Sequence, residues 1–139
     1  MTAEDHGSPD PAGAAPLPRI LCDTAGLSAS GDVPAGALWK LAEPGRQLDA
    51  NVVRIPPAGR VGTHTEPDLD VLLLVLDGEA TLICPDGPRP LRAGILTWLP
   101  HGSARGILAG ADGATYLTVH RRRPGMRIQP PGAAAGLRP

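Results

Sequence analysis

Turn residues set the first limit on what this chain can fold into. It carries 18 glycines and 17 prolines in 139 residues. Some cluster at the two ends, and the rest recur between short apolar runs. No window offers three turns of helical periodicity free of Gly and Pro, which excludes long helices. The runs that remain are 19–22, 37–41, 48–55, 70–76, 79–84, 89–92, 95–99, 103–108 and 114–121. About nine short strands with a turn every 8–12 residues are the pattern of an all-β sandwich or barrel. Asp77-Gly78 reads as a tight hairpin turn, and Gly110-Ala111-Asp112-Gly113 as a second break.

The length fits one domain. Residues 1–18 and 129–139 are rich in Pro, Ala and Gly and poor in large apolar side chains, so they are expected to be flexible tails around a domain at 19–128. The chain has no Phe, one Tyr and two Trp. Its core is therefore expected to be aliphatic, with Trp39 and Trp98 in the core or at an interface. The formal net charge of −1 argues against a nucleic-acid partner. No apolar run approaches the roughly 18 residues of a membrane helix. The N-terminal residues include Glu4, Asp5 and Pro9 without an apolar h-region, so a cytoplasmic location is expected. Cys22 and Cys84 sit in no metal or redox motif and are read as small buried hydrophobes, although sequence leaves their pairing open.

The chemistry gathers in residues 59–78, G-R-V-G-T-H-T-E-P-D-L-D-V-L-L-L-V-L-D-G. His64 and Glu66 are two apart, so on a strand they share a face. Six apolar residues follow at 71–76 without alternation, which implies burial on both faces, against the barrel interior and against a second sheet or a partner subunit. A second stretch begins at Gly94, G-I-L-T-W-L-P-H-G-S-A-R. Together these resemble the two motifs of the cupin superfamily, G-x5-H-x-H-x3-4-E-x6-G and G-x5-P-x-G-x2-H. In the second, Gly94, Pro100, Gly102 and Arg105 keep the frame. The resemblance covers roughly residues 37–121 and implies a small single-domain cupin: a jelly-roll β-barrel, commonly a homodimer.

Cupins of this pattern usually hold a divalent metal with three His and one Glu. Here His64 matches the first ligand, Glu66 stands at the second, Val71 at the glutamate and Arg105 at the third histidine. Arg offers no lone pair, and a guanidinium ~4 Å from a divalent ion costs about 8 kcal/mol at an effective dielectric of 20. The metal site thus reads as degenerate, with no resident cofactor expected. A weaker alternative ligand set is His64, Glu66, Asp70 and His101. In place of a metal, a Glu66–Arg105 ion pair is expected at the polar centre of the barrel, with His64 beside it.

A pocket holding Arg105 favours a small anionic ligand, bound at His64, Glu66 and Arg105. Two other functions compete. One is a cupin enzyme, either metal-dependent and dioxygenase-like, or a metal-free isomerase or epimerase with His64 as general base oriented by Glu66 or Asp70. The other is a structural or interaction module whose barrel is filled by its own side chains. His101 reads as an exposed turn residue and His120 as packed on its strand without a role. Arg121, Arg122, Arg123 and Arg127 form a basic run, read as a solvated strand end available to acidic groups of a partner chain.

Overall fold

The computed structural model describes residues 15–28 and 35–123 of the protein. A short helix α1 (Thr24–Ser28) precedes seven strands: β1 (Gly36–Lys40), β2 (Leu48–Ile55), β3 (Arg60–Thr65), β4 (Val71–Cys84), β5 (Gly87–Arg92), β6 (Leu96–Leu99) and β7 (Ala104–Arg121). Every pairing is antiparallel. The order is β1-β2-β7-β4-β5, with β3 added to β7 and β6 to β4. This is the all-β barrel that the turn punctuation implies. None of the described helices is long and apolar enough to cross a membrane.

Two long strands build both leaves of the barrel. The first half of β4 pairs with β6 and with the second half of β7, from Leu72↔Val119 to Asp77↔Thr115. Its second half pairs with β5 and with the first half of β7, from Ala80↔Ala109 to Ile83↔Gly106. Asp77-Gly78 is therefore not the hairpin turn expected from sequence. The register shifts on both sides of it, and the strand continues through a bulge. Residues 110–113 likewise bend β7 without ending it. Glycine makes the bend: Gly78 has φ 80 and Gly113 φ 76. A Cβ on Gly78 would lie 2.1 Å from the Gly113 carbonyl oxygen.

Two further expectations change. Residues 19–22 form no strand. The chain there is extended and leads into α1, where the Asp23 side chain accepts a hydrogen bond from the Ala25 amide at 3.0 Å and its carbonyl accepts one from Gly26 at 2.9 Å. A short apolar run without a pairing partner yields to the cap beside it. Conversely, residues 60–65, which are not among the runs read as strands, form β3, paired to β7. The tails read at 1–18 and 129–139 fall mostly outside the described residues, as does Arg127. Both cysteines are free and partly buried.

The core is aliphatic, as the composition requires. Ile55, Leu73, Val75, Leu82, Leu91, Leu99 and Ile107 are buried in it, and Tyr116 is the aromatic residue among them. Trp98 is not: it is 57% exposed. Nor is the 71–76 run buried on both faces. Val71, Leu73 and Val75 point inward, whereas Leu72 is 41% exposed and Leu74 and Leu76 are partly covered. Leu72 pairs with Trp98 and Leu74 with Leu96, which is 63% exposed. An apolar patch thus lines the outside of this leaf.

The corner makes a direct prediction. Gly78→Ala places a methyl group against backbone and holds alanine at positive φ, so it should lower unfolding free energy by roughly 3 kcal/mol or more. Gly62→Ala on β3, where a Cβ meets nothing within 4 Å, should change it by less than about 0.5 kcal/mol. Urea unfolding of both variants measures the difference, and equal midpoints would sink the corner argument.

Candidate functional site

The site grows from the pairing of β3 with β7. His64 lies directly opposite Arg105. Ile107, two residues on from Arg105, is a buried core residue, so Arg105 is on the inner face with it, and His64 opposite shares that face while staying exposed to solvent. On the adjoining leaf the same alternation turns Tyr116, Thr118 and His120 inward and Leu117 and Val119 outward, because Thr118 pairs with inward Leu73. These residues, with Glu66, Val71 and Arg123, line a cavity of about 250 Å³ at the mouth of the barrel. The sequence-selected trio of His64, Glu66 and Arg105 does converge there.

The pairing inside the trio is not the expected one. Glu66 Oε1 accepts from Arg123 Nη2 at 2.6 Å, and Glu66 Oε2 accepts from the Asp68 amide at 2.8 Å. Burial alone would raise the Glu66 carboxyl, but the Arg123 guanidinium and the Asp68 amide outweigh it and hold the group below the usual carboxylate range. The Glu66–Arg105 ion pair is therefore not formed. Arg123 reaches Glu66 from the strand end beyond β7, so that part of the basic run closes its own barrel instead of waiting for a partner's acid.

Arg105 is left with carbonyls. It is only 5% exposed. Its Nη1 donates to Pro100 O at 3.4 Å, Ser103 O at 3.2 Å and Ser103 Oγ at 3.2 Å. Nη2 and Nε donate to no described residue. Burial pulls its pKa down, and the negative charge of Glu66 only partly offsets this. Arginine nevertheless stays protonated in proteins. The cavity thus holds two guanidinium groups against one carboxylate, and the carboxylate is taken. One desolvated positive charge faces the open space.

The remaining candidates separate from this centre. Asp70 Oδ1 accepts both from the His101 amide, at 2.9 Å, and from His101 Nδ1, at 2.7 Å. These bonds hold the Asp70 carboxyl below its ordinary value, with the backbone amide the larger cause. The pair sits exposed at the rim, outside the cavity lining. His64 Nδ1 lies 3.0 Å from the Gly62 carbonyl oxygen, not beside a carboxylate. The expected orientation of His64 by Glu66 or Asp70 is therefore absent, since each acid has a nearer partner.

A divalent metal does not fit these residues. Among the described residues, no three His, Cys, Asp or Glu side chains stand together as a ligand group. The alternative set of His64, Glu66, Asp70 and His101 is split: Asp70 and His101 bind each other, and both Glu66 oxygens are engaged. Val71 supplies no donor, and Arg105 brings positive charge to the same place.

Tyr116, Thr118, His120 and Arg123 were not selected from sequence. The signal was present for three of them: Tyr116-Leu117-Thr118-Val119-His120 alternates polar and apolar, which marks a polar inward face. Thr118 Oγ1 donates to Asn51 Oδ1 on β2. Burial raises the Tyr116 hydroxyl. Arg123 lies past the strand, where period-two alternation says nothing.

No protein-family profile matches the sequence, and no curated protein matches it. Solved structures do resemble it. A cupin-2 domain containing protein from Shewanella frigidimarina superposes with TM-score 0.53 at 19% identity, covering 60% of this chain and 78% of that one. KdgF from Halomonas sp. gives 0.56 at 19%, covering 62% and 77%. A sugar phosphate isomerase from a cupin superfamily, from Silicibacter pomeroyi, gives 0.51 at 24%, covering 57% of this chain and 53% of that one. At these identities the likeness speaks for the fold, and with the motif frame of residues 59–78 and 94–105 it is unambiguous there: this chain has the jelly-roll fold of the small cupins.

Proposed function

We propose that the protein binds a small anionic molecule in the barrel, at Arg105, without a resident metal. The observation that carries this is the buried, uncompensated guanidinium facing a cavity. A desolvated charge with no ion partner is costly to keep, and an anion that completes it recovers part of that cost through charge-assisted hydrogen bonds. His64, His120 and Tyr116 supply further polar groups around the same space. The cavity also argues against a barrel filled by its own side chains. Among the described residues no imidazole inside it is oriented by a carboxylate, so binding is better supported than catalysis.

Arg105→Gln separates this function from a merely structural role. It should abolish binding of small carboxylates and phosphate in calorimetric titration while the protein unfolds at the same or a higher temperature than wild type. A binding site carries strain that stability alone would remove. An Arg105 that serves only to organise the core through Pro100 and Ser103 would instead destabilise on substitution, and that outcome would overturn the proposal.

Glu66 sets the pH dependence. Its folded pKa is depressed, so its ion pair contributes stability at neutral pH. That contribution is lost as pH falls from the ordinary glutamate range, about 4.3, through the lower folded value. Glu66→Gln should flatten this acid-side slope in thermal unfolding and tighten anion binding at neutral pH, because the one carboxylate in the cavity is gone. Weaker anion binding in Glu66→Gln would count against the charge argument.

The outward patch of Leu72, Leu96 and Trp98 supports a homodimer, with a second copy of the chain covering these side chains. Sedimentation equilibrium should give a dimer for the wild type and a folded monomer for Trp98→Glu. A monomeric wild type would refute it.

A further inference from the structure

Arg105 also borders a second and larger space. Between β5 and β6 the two leaves part, and a groove of about 660 Å³ runs from the β4–β5 turn to Arg105. Leu82, Leu91 and Leu99 line its inner side. They belong to the buried core, and Leu96 and Trp98 of the outward patch also line the groove. The groove holds two cations and one acid. Arg89 Nη2 lies 2.6 Å from Asp86 Oδ2, which leaves Arg105 as the single unbalanced charge, at the groove's inner end.

From this arrangement we infer that the ligand is an amphipathic monoanion, an alkyl or aryl carboxylate whose head group meets Arg105 and whose apolar body lies along the β5–β6 groove. The inference rests on the anion site proposed above and adds the direction and chemistry of the rest of the molecule. Ligand pockets are about 300–1,000 Å³ and mostly apolar, with a few polar groups that fix orientation. The groove meets that description, whereas the inner cavity beside His64 and Glu66 is smaller and carries a carboxylate that repels a second anionic group. One free cation fits one anionic head, and aliphatic walls fit an apolar tail.

The test is a calorimetric titration of the full chain with acetate, hexanoate, octanoate and decanoate below their micellar concentrations. Affinity should rise with length, by up to about fourfold per added methylene. Arg105→Gln should abolish the whole series. Thr97 also lines the groove, and Thr97→Trp, which narrows it, should flatten the length dependence by weakening octanoate and decanoate more than acetate. Should that variant fail to fold, methyl NMR of the wild type gives the same answer through shifts at Leu82 and Leu91 on adding octanoate. Binding that needs Arg105 but is flat with chain length overturns this inference and leaves the anion site standing. No binding of any carboxylate, nor of phosphate, overturns both. A length dependence that survives Thr97→Trp places the tail away from Leu82, Leu91 and Leu99 and also overturns it, as does a dimer in which a second copy protects Leu82 and Leu91.

Discussion

The structure depends on one close approach of backbone to backbone. Gly78 on β4 meets the carbonyl of Gly113 on β7 at a distance that no side chain permits. Both strands can then bend together, and each contributes to both leaves. Without the bend, β4 and β7 would form a flat ribbon with one face open to water. With it, Val71, Leu73 and Val75 face Leu82, Ile107 and Ala109 across a closed interior. Burial of those side chains, each worth about 1.5–3 kcal/mol when complete, then stabilises a barrel built without phenylalanine. Ala58, with φ 59, sits at the matching corner between β2 and β3, where its amide donates to the Gly110 carbonyl at 3.0 Å.

The same bend positions the chemistry. It brings the first half of β7, with Arg105, and the second half, with Tyr116, Thr118 and His120, onto two leaves that face one another. Arg105 then occupies the place where the inner cavity and the β5–β6 groove meet. Its carbonyl partners at Pro100 and Ser103 come from the turn that precedes its own strand, so the guanidinium is held by local backbone and not by an acid. That arrangement fixes the group without neutralising it, which is what anion binding requires and what core stability does not.

Much of this was legible in the sequence. Glycine and proline spacing excluded helices, and the motif frame at residues 59–78 and 94–105 pointed to the barrel and to His64, Glu66 and Arg105 as inward neighbours. Where the fold departs from the sequence pattern, the reason is physical. Asp77-Gly78 has the composition of a hairpin turn, but a glycine at positive φ serves a bulge equally well, and only the partner strand decides which forms. The apolar run at 71–76 looked buried on both sides because hydrophobicity reports a tendency to leave water, not what covers the surface. Residues 19–22 looked like a strand because nothing local reveals whether a partner strand exists.

The sequence by itself determined which side chains could share the interior. Alternation along a strand is a local property of the backbone, so the shared inward face of Tyr116, Thr118 and His120 is written in their spacing, whereas the ligand positions of Val71 and Arg105 come from the resemblance to the cupin motifs and the pairing of His64 with Arg105 comes from the fold. Which charges pair was decided by tertiary structure alone. Glu66 could have met Arg105 on the neighbouring strand, and instead it meets Arg123, 57 positions along the chain. Asp70 meets His101 across the rim rather than His64. Ion pairing depends on the reach of flexible side chains between segments whose separation only the folded barrel sets. For that reason the guanidinium left without an acid partner could be identified only in three dimensions.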